Sequence, residues 1–203
     1  LCDRRQRQMC IRDRGARFSH QAKFFGETAR IATPAGDVWL LKPMTYMNLS
    51  GQAVQPLAAY YKITPEEILV VHDELDLVPG TMRLKFGGGA AGHNGLKDIT
   101  QRLATPDFWR LRIGIGHPRS LCPGMAVVDW VLGRANTEQS QGIISCMEGA
   151  LRAIDNLAQG KFDNAERTLS KFAHPPKPAK PTEPEDDKTQ IKREPAVESA
   201  LHS

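Results

Sequence analysis

The stretch ILVVHDELD, residues 68–76, decides the fold of this chain. Its first four residues are aliphatic and predict a buried strand, because a short run rich in valine and isoleucine is typical of a sheet interior. Polar residues follow directly at the end of that strand, which is where α/β proteins collect ligand sites. The stretch therefore predicts an α/β domain with a site at a strand end.

Further strands are predicted on both sides of this stretch. A short run of mainly apolar residues predicts a strand over residues 37–41, and alternation of apolar with polar residues predicts strands over 82–86 and 109–115. Three- and four-residue spacing predicts a helix over 51–61, although Pro56 should hold the helix start near itself. The fold class we predict is α/β, a single domain with a mixed β-sheet flanked by helices.

Capping signals bound two other segments. Thr64-Pro65-Glu66-Glu67 predicts a short turn with Thr64 as N-cap and Glu67 completing a capping box. Thr137 is the predicted N-cap of a long amphipathic helix that ends at Gly160.

Composition supports a single soluble domain. The chain has 203 residues, of which 40% are hydrophobic and 25% charged, and this excludes fibres and full disorder. Its longest aliphatic run, residues 68–71, is far shorter than the ~18–20 residues of a membrane span, so we expect no membrane partner. Four cysteines lie far apart at positions 2, 10, 122 and 146, without a disulfide or zinc spacing. We expect a cytoplasmic location.

The two ends differ from the middle. Residues 1–14 carry five Arg and two Asp without periodicity, and we interpret them as an artefactual or disordered segment. The alternative is a native basic arm for nucleic acid. Residues 173–203 are rich in proline and charge and predict a disordered tail, since they cannot bury enough apolar surface to offset chain entropy.

Positive charge is concentrated in residues 82–119. Only Asp98 and Asp107 oppose seven basic residues there, so the segment could attract a polyanion. Two of the seven, Arg110 and Arg112, alternate with apolar residues and predict a polar strand face. The seven are Arg83, Lys85, Lys97, Arg102, Arg110, Arg112 and Arg119.

Three segments carry residues suited to chemistry. In residues 44–51, Asn48 offers both a donor and an acceptor, but Asn48 or Ser50 could equally be a helix N-cap. In residues 72–76, Asp73 could orient an imidazole, and the alternative is an Asx-turn, which suits Asp76 better. Because neighbouring strand residues point to opposite faces, His72 and Asp73 are not expected to be partners.

The third segment is the glycine loop, residues 87–95. Five glycines in nine residues allow a ligand to approach the backbone closely, and the following helix start suits an anion. The loop matches GxGxxG formally, but it lacks the acidic residue that a dinucleotide fingerprint places at the end of the next strand.

Taken together, Tyr46-Met47-Asn48, the residues 72–76, the loop ending His93-Asn94-Gly95, and RLRIGIGHP over 110–118 resemble the bacterial peptidyl-tRNA hydrolase family. The resemblance runs from about residue 23 to about residue 172. It implies cleavage of the ester between a peptide and tRNA, by a monomer, with peptidyl-tRNA as its partner and no metal or cofactor.

The resemblance also implies roles for individual residues. Asp73 matches the carboxylate that supports the catalytic base, and Asn48 and Asn94 match the asparagines that contact substrate. Tyr46 matches an aromatic tRNA-contacting position, while Met47 and His93 line the same pocket. We further expect phosphate contacts from four basic residues: Arg83, Lys85, Lys97 and Arg102.

One family motif has no counterpart here. The family places its catalytic histidine and a further asparagine upstream, in a strand and loop of the form GLGNPG…Y…TRHN, so we interpret residues 15–172 as an N-terminally truncated domain of impaired activity. His20 lies outside that motif and is expected to be an exposed bystander. The alternatives are a catalytically silent tRNA-binding module, a dinucleotide-binding oxidoreductase, and a metal hydrolase built on His72, Asp73, His93 and His117.

Overall fold

Six strands form two three-stranded sheets in the computed structural model, which describes residues 16–175. The first sheet is antiparallel, with the order β1-β2-β3, and the second has the order β4-β6-β5. In the second sheet β6 runs parallel to β4 and antiparallel to β5, which confirms the predicted mixed sheet. The strands are β1 (Ser19–Gln21), β2 (Gly26–Thr33), β3 (Gly36–Pro43), β4 (Leu69–Glu74), β5 (Met82–Phe86) and β6 (Trp109–Gly114).

One helix follows the first sheet, a second precedes β6, and four more follow β6. They are α1 (Gly51–Tyr61), α2 (Asn94–Leu103), α3 (Pro118–Leu121), α4 (Val127–Leu132), α5 (Thr137–Ala158) and α6 (Phe162–Phe172). Among residues 16–175 no helix is long and apolar enough to cross a membrane. The expectations for residues 1–14 and for most of the tail, residues 176–203, fall outside the described residues.

Two predicted helix boundaries were wrong. Helix α1 begins at Gly51, and Pro56 lies inside it, because one missing amide donor is tolerated where the flanking helix faces are packed. The N-cap of α5 is Asn136, one residue before the predicted Thr137, and Asn136 and Gln139 exchange side chain to backbone hydrogen bonds of 2.8 and 3.1 Å. The end of α5 near Gly160 is as predicted, with Gly160 in the left-handed region at φ 67°.

Strand β4 is less buried than its sequence predicts. Residues 72–74 lie within the strand rather than after it, and Val71 is 45% exposed. The reason is that β4 is an edge strand among the described residues, with β6 on one side only. The short turn at residues 65–67 is confirmed, since the Glu67 carboxylate accepts a 2.8 Å hydrogen bond from the Thr64 amide.

Apolar clusters cover both faces of the second sheet. On one face, Met82, Leu111 and Ile113 pack with residues of α5 and α6. On the other face, a cluster of Leu96, Ile99 and Phe108 joins α2 to the sheet. Burial of both faces is the arrangement expected for an α/β fold, and it leaves the ends of β4 and β6 as the places where polar groups can gather.

Candidate active site

Asp73 and His93 form the centre of the candidate site. Asp73 Oδ1 lies 3.4 Å from His93 Nε2, and the two side chains are 30% and 16% exposed. His93 is also the N-cap of α2, because its Nδ1 accepts a 3.2 Å hydrogen bond from the Leu96 amide. Since Nδ1 accepts, the neutral ring carries its proton on Nε2 and donates it to Asp73.

This pair makes Asp73 a stabilised carboxylate. The hydrogen bond from His93 lowers the pKa of Asp73 below its ordinary value and outweighs burial, which acts in the opposite direction. Both nitrogens of His93 are therefore engaged, one with Leu96 and one with Asp73. In this arrangement His93 positions the carboxylate and the helix, and it has no free lone pair with which to take a proton.

His72 lies beside the Asp73–His93 pair, but its hydrogen bond is to a backbone carbonyl. Its ring meets the His93 ring edge to face, with centroids 5.1 Å apart, and its Nδ1 donates to the backbone carbonyl of Asp73 at 2.7 Å. The bond does not reach the Asp73 carboxylate, in agreement with the opposite directions predicted for neighbouring strand residues. Burial lowers the pKa of His72, and its buried Nε2 has no hydrogen-bond partner among the described residues.

The segment 44–51 packs against the start of α2. Met47–Leu49 forms a single 3₁₀ turn, and Tyr46, Met47 and Asn48 are all exposed. Ser50 occupies the N-cap position of α1, but its Oγ donates to the Met47 carbonyl at 2.8 Å and makes no cap bond to the helix. The predicted bond from a side chain of this segment to the backbone amides of α1 is therefore wrong, and a carboxylate of another helix, Asp98 Oδ2, holds the Gly51 amide at 2.7 Å.

Two glycines permit this close packing. A Cβ on Gly51 would lie 2.7 Å from the Asp98 carbonyl oxygen, and a Cβ on Gly95 would lie 2.8 Å from Met47 Sδ. At Gly51 the clash would be with backbone, so only a residue without a Cβ fits there, whereas at Gly95 the Met47 side chain would have to move. The segment that carries Asn48 and the helix start that carries Asn94 therefore come together, beside a cavity that Met47, Asp73 and His93 all line.

Two arginines of β6 are structural, which corrects the predicted polar strand face. Arg110 is only 3% exposed and donates to the carbonyls of Gly88 and Gly89, at 2.6 Å each. Arg112 donates to Glu74 Oε2 at 2.8 Å. Arg110 thus fixes the shape of the glycine loop, and burial lowers its pKa.

The four expected phosphate contacts are all exposed. Lys85 is the cross-strand neighbour of Arg110 and lies beside the glycine loop, since a Cβ on Gly88 would lie 3.0 Å from Lys85 Nζ. Arg83 is the cross-strand neighbour of Arg112. Arg102 differs from the other three because its Nε is bonded to both Asp98 oxygens, at 3.1 and 3.2 Å.

The alternatives that need a cofactor or a metal gain no support from the geometry. Among residues 16–175, no three His, Cys, Asp or Glu side chains are grouped so that they could hold a metal ion. His117 instead caps α3, accepting from the Arg119 amide at 3.1 Å. In the glycine loop, the carbonyls of Gly88 and Gly89 accept hydrogen bonds from Arg110, and the Leu96 amide that an anion would need already donates to His93 Nδ1.

His20 is exposed in β1, as expected of a bystander.

Fold and candidate site together define an α/β domain with a hydrogen-bonded carboxylate and exposed amide side chains around one helix start. The comparisons agree on what kind of domain this is. The family model for peptidyl-tRNA hydrolase matches residues 7–179. The chain belongs to the peptidyl-tRNA hydrolase family.

Individual relatives are similar over most of their length. A peptidyl-tRNA hydrolase of Neisseria meningitidis is 54% identical over 156 residues, which is 76% of this chain and 79% of the relative. One of Aromatoleum aromaticum is also 54% identical, over 77% of each protein. The crystal structure of peptidyl-tRNA hydrolase from Acinetobacter baumannii superposes with a TM-score of 0.71 at 42% identity, covering 81% of this chain and 82% of that one. These comparisons do not favour an oxidoreductase.

Proposed function

We propose that this chain hydrolyses the ester bond between a peptide and tRNA at the site around Asp73, and so returns tRNA from peptidyl-tRNA released prematurely. Membership of the family supports the reaction. The observation that carries the site is the Asp73–His93 pair beside the packed segments of Asn48 and Asn94. The exposed amides could donate hydrogen bonds to an ester carbonyl oxygen, and the ionised carboxylate could stabilise a protonated base beside it.

The proposed chemistry is general-base hydrolysis. In the complete enzyme that the family resemblance implies, the imidazole of the family's upstream histidine takes a proton from water as the water oxygen attacks the ester carbonyl, and the carboxylate that Asp73 matches stabilises the imidazolium. The amide N–H groups of Asn48 and Asn94 donate to the oxyanion. The bond from the carbonyl carbon to the ribose oxygen then breaks, and the ribose oxygen takes the proton from the imidazolium.

The expected rate of hydrolysis by this chain is limited by the general base. His93 has both nitrogens engaged, and the free nitrogen of His72 is buried, so no described histidine offers an accessible lone pair at Asp73. General-base assistance contributes ~10²–10⁴ in rate. We therefore expect the chain to deacylate N-acetyl-aminoacyl-tRNA more slowly than an intact relative by about that factor. Turnover equal to that of the N. meningitidis enzyme would contradict this.

We further propose that Arg83, Lys85 and Lys97 contact tRNA phosphates, with Arg102 contributing where Asp98 releases it. Their exposure beside the glycine loop supports the assignment. Reversing both Arg83 and Lys85 to Glu should weaken tRNA binding and reduce the salt slope of log K by about 1 for each lost phosphate contact. Reversing Arg167 and Lys171, two exposed basic residues of α6, to Glu makes the same change in charge and is the control, and unchanged binding in the Arg83 and Lys85 double variant would contradict the assignment.

A second candidate is a tRNA-binding module without activity, favoured by the engaged state of His93 and the buried state of His72. It predicts the same tRNA affinity and salt dependence but a deacylation rate equal to that of buffer. One assay that measures both tRNA binding and turnover on the same sample distinguishes the two candidates.

We also propose that the chain is a cytoplasmic monomer that works without a cofactor. Sedimentation and activity after dialysis against chelator test the last two points.

A further inference from the structure

Asp98 lies on the same face of α2 as Asn94. The two residues are four positions apart in the helix Asn94–Leu103, and side chains four positions apart lie one above the other on a helix surface. Four residues advance a helix by about 6 Å, at 1.5 Å for each residue. A group that Asp98 holds is therefore placed about one helical turn away from Asn94.

The group that Asp98 holds is the backbone of the segment that carries Asn48. Asp98 Oδ2 accepts a 2.7 Å hydrogen bond from the amide of Gly51, the first residue of α1. This bond is charge-assisted and lies at a helix N-terminus, where a carboxylate is favoured. It joins two residues 47 positions apart in the sequence, and the Asp98 side chain is only 13% exposed.

Asn48 is connected to this hydrogen bond by a short, internally bonded turn. The amide and the hydroxyl of Ser50 both donate to the Met47 carbonyl, at 3.3 and 2.8 Å. The 3₁₀ turn that contains Asn48 therefore leads directly into Gly51, and a shift of the Gly51 amide moves the turn with it.

Arg102 fixes the direction of the Asp98 carboxylate. It lies a further four positions along α2, and its Nε donates to Asp98 Oδ1 and Oδ2 at 3.1 and 3.2 Å. Its side chain also packs against the start of α1, because a Cβ on Gly51 would lie 2.8 Å from Arg102 Cδ. One carboxylate with a set orientation thus joins the two helix starts.

We propose that Asp98 is a positioning residue that holds Asn48 beside Asn94, so that both side-chain amides reach one acyl group. This role rests on the proposed function, because it assumes that the two asparagines contact the substrate. Asp98 acts through Gly51 and does not itself touch the substrate. Misplacement of a reacting or stabilising group by about 1 Å can cost on the order of 10²-fold in rate, so the Asp98 hydrogen bond is expected to affect substrate recognition as well as stability.

The test is the affinity for a tetrahedral analogue of the substrate, measured by calorimetry on the full 203-residue chain. The probe is an N-acetyl-1-aminoalkylphosphonate joined to the 3′ oxygen of adenosine, whose charged oxygen stands for the oxyanion. Its binding needs no general base, so the result does not depend on turnover. Because affinity is measured on folded protein, a purely stabilising role of Asp98 would leave it unchanged.

Three single variants give the expected pattern. Asp98→Ala should weaken binding of the phosphonate by at least about tenfold, as expected when a hydrogen bond to a charged group is lost. Asp98→Asn should stay within about threefold of wild type, because its amide oxygen still accepts from Gly51. Asp163→Ala removes an exposed acidic residue of α6 and is the control, with unchanged affinity expected.

A double variant shows whether Asp98 acts through Asn48. In an Asn48→Ala background, the further change Asp98→Ala should alter the affinity little, because both substitutions remove the same contact. Equal affinity in wild type and Asp98→Ala, or full additivity of the two substitutions, would overturn the positioning role and leave the proposed function intact. No binding by wild type, or no loss in Asn48→Ala, would contradict the proposed function and the positioning role with it. If Asp98→Ala fails to fold, Asp98→Glu takes its place with the same expectation, since it keeps the charge but moves the oxygens by one methylene.

Discussion

Asp73 owes its charge state to one neighbour, and this can be measured. His93→Asn replaces the imidazole with a residue that still accepts a hydrogen bond as an N-cap, so helix α2 keeps its start. The Asp73 carboxylate loses its Nε2–H donor, and its pKa should rise because the largest cause that lowers it is removed while burial, which raises it, remains. Carbon-13 NMR titration of the Asp73 carboxyl is the measurement. An unchanged pKa would mean that the His93 contact does not hold the carboxylate.

Glu74 gives a pH dependence to stability. Burial favours a raised pKa, but the hydrogen bond from Arg112 and the Asp76 amide outweigh it, and the pKa of Glu74 is lowered. A lowered carboxylate pKa contributes stability above the unfolded pKa of ~4.3, and this is lost as pH falls through the folded pKa. Glu74→Gln should therefore cost about 1–3 kcal/mol at pH 7 and nothing at low pH.

Chemical denaturation across this pH range measures the effect. Glu66→Gln is the matched control because Glu66 is an exposed acidic residue in the preceding turn. The stability curves of wild type and Glu74→Gln should approach each other below the ordinary carboxylate pKa and converge once the pH is below the lowered folded pKa of Glu74. A gap of constant size at every pH would show that packing, and not the Arg112 ion pair, accounts for the cost.

The contact of α1 with α2 depends on Gly51. Alanine is the better helix former by ~1 kcal/mol, so propensity alone predicts that Gly51→Ala stabilises α1. The structure predicts the opposite sign, because the new Cβ would lie 2.7 Å from the Asp98 carbonyl oxygen and one helix must shift. We expect a loss of about 1–3 kcal/mol, together with weaker substrate binding through the displaced Asn48 segment.

Gly89→Ala is the control for this substitution. A Cβ on Gly89 meets nothing within 4 Å, and its φ is not in the left-handed region. The free energy of unfolding from urea titration should therefore change little for Gly89→Ala. A stability gain in Gly51→Ala would show that α1 and α2 have room to separate, and would weaken the link between the two segments.

Structural features that depend on residues close together in sequence were predicted correctly. The strand at residues 82–86, the turn at 64–67 and the end of α5 follow from alternation and capping, and each is present in the structure. The burial of Arg110 could not be predicted, because the two carbonyls that accept its bonds lie 21 and 22 residues away in a loop with no readable pattern. The same holds for Asp98, whose long-range bond replaces the predicted cap of α1.

The site was predicted in part. Asp73 was identified from its place at the end of an apolar run, and Asn48 and Asn94 from a family resemblance. The partnership of Asp73 with His93 was not predicted, because it depends on how α2 is set against β4 in three dimensions. A histidine immediately before a helix start is a weak signal of an N-cap, and that signal could have suggested that one of its nitrogens is engaged.

At the scale of the whole described domain, the candidate site lies where the second sheet meets the segment 44–51. Asp73 of β4 and His93 at the start of α2 lie together there, and Met47 packs closely against Gly95. Helices α5 and α6 pack on the second sheet through the cluster around Leu111. The candidate site therefore depends on contacts among β4, α2 and the segment 44–51.

The most direct test of the account is single-turnover deacylation of N-acetyl-aminoacyl-tRNA by wild type and Asp73→Asn. The substitution keeps the shape of the side chain and removes the carboxylate charge at the centre of the proposed site. We predict a wild-type rate above that of buffer, a loss of at least about tenfold in Asp73→Asn, and equal tRNA affinity for the two proteins. Equal rates for wild type and Asp73→Asn would contradict the account.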